Sequence, residues 1–121
     1  MTAFRKSLQH ALRALRFVAK NETNFQLEIF AGFIAVLFAI YFQFSRFEWV
    51  ILVGTIGAVL ALECLNTSAE YLLDILKPRL TLQVQIVKDV MAAVVLIGAI
   101  TATLIGCMLF FPHVIELSRT L

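Results

Sequence analysis

The sequence predicts an all-α integral membrane protein: a basic amphipathic helix on the membrane surface, followed by three membrane-spanning helices. Three observations predict it. The 121-residue chain is 61% hydrophobic and only 15% charged, with a mean hydropathy of +0.93, whereas a soluble domain is about half apolar and about a quarter charged. Its apolar residues gather in stretches of membrane-spanning length. Residues 1–20 hold Arg5, Lys6, Arg13, Arg16 and Lys20 and no acid.

The length suits one small domain, residues 1–121, and neither repeats nor low-complexity tracts stand out. Cys64 and Cys107 both lie in apolar helical surroundings, without metal-ligand spacing or a disulfide framework. They read as packing residues, and no nucleic-acid partner is expected.

Residues 4–20 form the surface helix. On a helix, Phe4, Leu8, Leu12, Leu15 and Val18 fall on one side and Arg5, Gln9, Arg13, Arg16 and Lys20 on another, the pattern of an interfacial helix with its cations among anionic head groups. A soluble helix packed on the rest of the chain is the plainer alternative. The bases are spread through the segment rather than leading an apolar core, and no small-residue cleavage site follows. The segment therefore reads as retained, not as a signal peptide.

"NETNF", Asn21 to Phe25, is the first break. The first span, residues 25–44, carries one charge, Glu28. At ~1.5 Å per residue it crosses the roughly 30 Å hydrocarbon layer. "QFSRFEW" makes a short polar turn, with Tyr41 and Trp49 suited to the interface. The second span begins at Glu48, but its purely apolar part, Trp49 to Leu62, covers only about 21 Å, too little to cross alone. The helix must therefore continue through the acidic stretch to Leu76, residues 48–76, with Lys77-Pro78 ending it. The third span, residues 84–111, stops at Pro112. Three crossings put the basic N-terminus and the 77–88 loop, with Lys77, Arg79 and Lys88, on one side, against Arg46 and Arg119 on the other. The positive-inside rule makes the first side cytoplasmic, in a multi-pass protein of the bacterial inner membrane.

Glu63, Asn66, Glu70 and Asp74 are spaced three, four and four apart, a single polar stripe along a helix with Thr67 beside it. The stripe begins within the membrane and climbs to its cytoplasmic surface, Glu63 lying deepest. Glu22 and Glu28 flank the start of the first span, and Lys88-Asp89 the start of the third. Each has a structural reading: Glu63 hydrogen-bonded between helices, Asn66 an interhelical clasp, Lys88 snorkelling, Glu22 and Asp89 at helix starts. Their convergence at one depth favours function, because ionisable residues in a membrane are costly. Oxygen donors with a lysine suit Mg²⁺ and phosphate better than zinc.

"ECLNTSAEYLLD", residues 63–74, resembles the signature E-x-L-N-[ST]-[AS]-x-E-x-x-x-D of the prokaryotic diacylglycerol kinase family. "KDVMAAVVLI" downstream and "NETNFQLE" upstream are similar to two further elements of that family, and the resemblance spans roughly residues 4–112. The family has a branch that phosphorylates diacylglycerol and one that phosphorylates undecaprenol. "KSLQHA", "NFQ", "FEW", "LNT" and "FFP" look more like the undecaprenol branch, while Glu28 after "NFQL" is closer to the other. Undecaprenol is therefore the favoured acceptor, with diacylglycerol, giving phosphatidic acid, the alternative.

The resemblance implies an ATP- and Mg²⁺-dependent lipid kinase, working as a homotrimer with active sites between subunits. Glu63 would be the general base on the lipid hydroxyl, and Glu22 and Glu70 the metal ligands. Lys88 would neutralise the γ-phosphate, with Asn66, Glu70, Asp74 and Asp89 shaping the nucleotide site, and Glu28 with Glu63 would line the lipid site. His10 stands where relatives place a tyrosine or histidine in the nucleotide site. The family's N-terminal arginine is replaced by Ala3. No glycine-rich phosphate loop is present, which agrees with a site made of carboxylates, magnesium and one lysine. A proton-coupled transporter and a non-catalytic membrane anchor are the competing classes. A proton relay calls for acids throughout the membrane depth, and an anchor leaves the acid stripe without a task.

Overall fold

The computed structural model describes residues 2–76 and 81–121, which form four helices: α1 (Thr2–Asn21), α2 (Thr23–Tyr41), α3 (Arg46–Leu76) and α4 (Thr81–Thr120). The last three are long and apolar enough to cross a membrane. They pack in chain order, α3 against both α2 and α4. Their apolar side chains are exposed on many sides, as expected where lipid rather than water is the solvent.

The first break is shorter than the sequence suggests. Only Glu22, in extended conformation, separates α1 from α2, so the helix that carries the first expected span starts at Thr23, two residues before Phe25. The reason lies in the carbonyls that end a helix without intrahelical partners. The Gln26 side chain donates to Ala19 O at 2.9 Å and Lys20 O at 3.1 Å, and Asn21 Nδ2 donates to Phe17 O at 2.8 Å. With Ala19 O and Lys20 O satisfied from α2 and Phe17 O from α1's own Asn21, no longer connector is needed. Val18 is buried and the Phe17 ring lies 5.9 Å from that of Tyr71, so the end of α1 rests on α3. Phe4, Leu8, Leu12 and Leu15 of α1 remain exposed.

The turn from α2 to α3 is built from two caps. Phe44 N donates to Ala39 O and Gln43 N to Ile40 O, each at 3.1 Å, with Gln43 left-handed at φ 55°. This is a Schellman closure, which ends α2 at Tyr41, before the expected Phe44. Ser45 then opens α3. Its Oγ accepts from Glu48 N at 3.2 Å, while Glu48 Oε1 accepts from Ser45 N at 2.9 Å, a reciprocal capping box.

α3 runs unbroken from Arg46 to Leu76; the expected stop at Lys77-Pro78 lies outside the described residues. α4 begins at Thr81, ahead of the expected Val84, and does not stop at Pro112 but continues to Thr120. Proline removes one helical hydrogen bond and crowds the turn before it, but contacts on both sides of it hold the helix here. Phe110 packs on Phe42 and Phe44, with ring centroids 6.3 and 4.9 Å apart. His113 stacks on Phe44 at 5.1 Å and bonds Glu48 Oε2 at 2.7 Å. The main apolar core, Ala39, Phe44, Leu52 and Leu109, sits at this same end. Nearer the middle, Gly98 lets α4 approach Leu62 of α3 closely: a Cβ on Gly98 would stand 2.6 Å from Leu62 Cδ1.

Candidate functional site

The acidic end of the bundle is built on α3. Its unbroken helical geometry puts residues three and four apart on one side, so Glu63, Asn66, Thr67, Glu70 and Asp74 descend together from the apolar segment. Glu63 is 2% exposed and Thr67 4%, the only buried polar or charged side chains among the described residues. Asn66 is half-buried, and Glu70 and Asp74 are exposed. Burial thus falls away along the stripe from Glu63 outward.

Neighbouring helices bring further groups to Glu63. The Glu28 carboxyl of α2 lies within hydrogen-bonding reach of it, and Glu22 and Glu70 lie within electrostatic reach. Glu63 Oε1, Glu28 Oε2 and Thr67 Oγ1 are buried without a hydrogen-bond partner among the described residues. A buried polar atom left unpaired costs free energy; one proton between them lets Glu28 and Glu63 pair, whereas Thr67 Oγ1 has no such neighbour among the described residues. Further out, Asn66 Nδ2 donates to Glu70 Oε1 at 3.4 Å and Lys88 Nζ of α4 donates to Asp74 Oδ1 at 3.5 Å. A basic group thereby stands at the exposed end of the stripe and an acidic cluster at its buried end.

Two predicted site residues make no hydrogen bond to the stripe among the described residues. Asp89 is exposed and accepts from Gln85 Nε2 on its own helix at 2.9 Å. His10 is exposed on α1 and makes no side-chain hydrogen bond among the described residues. Nor do three or more Asp, Glu, His or Cys side chains among the described residues gather closely enough to hold a metal ion by themselves. Magnesium does not ask for that: it commonly takes one or two carboxylates and fills its shell with water and substrate phosphate. The all-oxygen donor set around Glu63 fits such an ion.

An apolar cavity of about 220 Å³ opens beside Glu28. It runs between α2, α3 and α4 from Glu28, past Gly32, Thr55 and Gly106, to Leu109 and Phe110. Glu28 is the acidic residue on its wall.

Sequence reasoning singled out the acids but passed over the burial of Thr67 and the bridging role of Gln26. Thr67 was detectable, since it lies four residues beyond Glu63 and three before Glu70. The Ser45–Glu48 cap was also written in the sequence, as S-R-F-E.

Comparison with known proteins places this geometry. Residues 9–110 match the family model described as prokaryotic diacylglycerol kinase. The chain is 30% identical to the undecaprenol kinase of Bacillus subtilis, over 93% of this chain and 91% of that protein. It is 28% identical to the diacylglycerol kinase of Escherichia coli K12, over 89% and 88% of the two chains, and 28% identical to that of Haemophilus influenzae, over 61% and 63%.

Proposed function

The chain belongs to the prokaryotic diacylglycerol kinase family, and from that premise we propose that it transfers the γ-phosphate of ATP to the hydroxyl of a membrane lipid alcohol, undecaprenol in preference to diacylglycerol. The observation that carries this reading is Glu63: a buried carboxyl with an unpartnered oxygen, next to the Glu28 carboxyl that lines an apolar cavity. An acid in that position meets an alcohol whose chain stays in the bilayer.

Glu63 takes the proton of the lipid hydroxyl as its oxygen attacks the γ-phosphorus. Glu28 borders the path of the lipid chain. Lys88 exchanges Asp74 for the γ-phosphate and neutralises its charge, while Asn66, Glu70, Asp74 and Asp89 shape the nucleotide site, with His10 at its edge. Glu22 and Glu70 are the residues that would hold Mg²⁺, which when bound screens the charge of the ATP phosphates. Phosphoryl transfer needs mainly positioning and charge neutralisation, and this set of side chains supplies both.

The site faces the cytoplasm of a bacterial inner membrane, where the positive-inside rule puts the bases of α1. The exposed apolar row of α1 (Phe4, Leu8, Leu12 and Leu15) lies in the acyl boundary. A homotrimer gives His10 and Asp89, which make no hydrogen bond to the stripe within one chain, a site to complete on a neighbouring subunit. Preference for undecaprenol rests on the sequence pattern and on the similarity to the Bacillus subtilis protein.

The test is transfer of labelled γ-phosphate from Mg²⁺–ATP by the purified protein in mixed micelles, with undecaprenol and diacylglycerol offered in parallel. Label in undecaprenyl phosphate at the greater rate is the expected result. A faster reaction with diacylglycerol reassigns the acceptor, and no transfer to either from folded protein removes the kinase reading.

A further inference from the structure

The kinase reading employs the acids, the amide and the lysine of the α3 stripe but leaves Thr67 idle. Thr67 is nonetheless one of the two most buried polar residues among the described residues, 4% exposed against 2% for Glu63. Its hydroxyl has no partner among the described residues. A threonine inside a helix has a ready acceptor in the carbonyl four residues back, and others here take it: Thr55 donates to Ile51 O at 2.7 Å and Thr103 to Ala99 O at 2.8 Å. Thr67 could reach the Glu63 carbonyl in the same way and does not. Its hydroxyl is buried at a desolvation cost that nothing in the fold offsets, one helical turn from the buried Glu63 carboxyl.

We infer that Thr67 is a positioning residue for the lipid acceptor, its hydroxyl donating to the oxygen of the substrate alcohol while Glu63 accepts that alcohol's proton. An alcohol oxygen offers one proton and two lone pairs. Glu63 takes the proton, Thr67 occupies one lone pair, and the other is left to attack phosphorus. In the transfer the O–H bond breaks to Glu63 and the new O–P bond forms. The bond from the γ-phosphorus to its bridging oxygen breaks, and its electron pair leaves with ADP. Two contacts fix the direction of the attacking lone pair where Glu63 alone leaves the oxygen free to rotate about a single hydrogen bond.

The assignment rests on the lipid-kinase reading, and its test separates the two. The full-length wild type, Thr67→Val and Thr67→Ser are compared in mixed micelles, with the lipid alcohol and ATP varied independently and thermal unfolding followed alongside. Valine has nearly the shape of threonine without the hydroxyl. Thr67→Val is expected to raise KM for the lipid alcohol about three- to tenfold, the value of one neutral hydrogen bond. KM for ATP stays unchanged, the unfolding midpoint stays level or rises, and Thr67→Ser recovers the lipid KM. A lowered midpoint or loss of the oligomer in Thr67→Val assigns the hydroxyl to the fold, and a shift in KM for ATP moves it to the phosphates; either overturns the inference. An active wild type with an indifferent Thr67→Val overturns this assignment alone, whereas a wild type inactive on both lipids removes the kinase reading with it.

Discussion

Lys88 Nζ of α4 lies 3.5 Å from Asp74 Oδ1 of α3, joining two helices at the exposed end of the acidic stripe. The two side chains are 32% and 63% exposed, and ion pairs so open to solvent contribute about 0–1 kcal/mol. The pair is therefore a poor brace for the fold and a good resting place for a cation that has another task. Asp74→Asn is expected to leave the unfolding midpoint almost unchanged while raising KM for ATP several-fold, because Lys88 loses its guide. Lys88→Met should remove most turnover at an equally small cost in stability. Parallel ATP kinetics and thermal unfolding check both, and a large loss of stability in either variant would make the pair structural.

Glu63→Gln separates chemistry from packing. The amide keeps the shape of the carboxyl but cannot take up the proton of an alcohol. Loss of a positioned base typically costs about a hundredfold or more in rate, and that is the expected loss in turnover. Stability should hold, since the substitution removes one acid from a cluster that already contains Glu22, Glu28 and Glu70. Turnover near that of the wild type would place the base elsewhere.

The spans and the acidic stripe were legible in the sequence because each depends on local regularities. Length and hydropathy define a membrane helix without knowledge of its neighbours, and spacings of three and four define a side of α3 wherever it packs. Boundaries were less legible because they are set by contacts across the chain. Gln26 reaches back over α1's last carbonyls and shortens the first break. Gln43 takes the left-handed position that a glycine would have announced. Pro112 stays inside α4 because Phe42, Phe44 and Glu48 hold Phe110 and His113 on either side of it. Spacing sets Thr67 beside the stripe, but how deeply it is buried depends on what packs against α3.

Glu70 is expected to govern the metal requirement. It is exposed, its Oε1 accepts from Asn66 Nδ2 at 3.4 Å, and it lies within electrostatic reach of Glu63. A carboxylate so placed can turn to a cation without disturbing the core. Glu70→Gln should raise the Mg²⁺ concentration for half-maximal rate while leaving KM for the lipid alcohol unchanged. Chelation should stop the wild type and added Mg²⁺ restore it. A Mg²⁺ titration on both proteins decides, and superimposable curves would move the ion away from Glu70.

The far corner of the bundle offers a change expected to act on stability alone. Gln43 sits at φ 55° with its backbone N–H closing the Schellman turn on Ile40 O. A residue with a Cβ loses about 1–2 kcal/mol in that left-handed region, whereas glycine enters it freely but gives up more freedom on folding. The first effect outweighs the second at a position already committed to positive φ, so Gln43→Gly should gain roughly 0.5–1 kcal/mol. Ser45→Ala, which removes the cap two residues later, should lose about 1 kcal/mol. Both sit at the end of the bundle opposite Glu63, so the rate per folded molecule should not move. Thermal unfolding in the same micelles reads the two shifts. A Gln43→Gly midpoint below that of the wild type would mean that the glutamine side chain contributes more to this corner than its backbone costs.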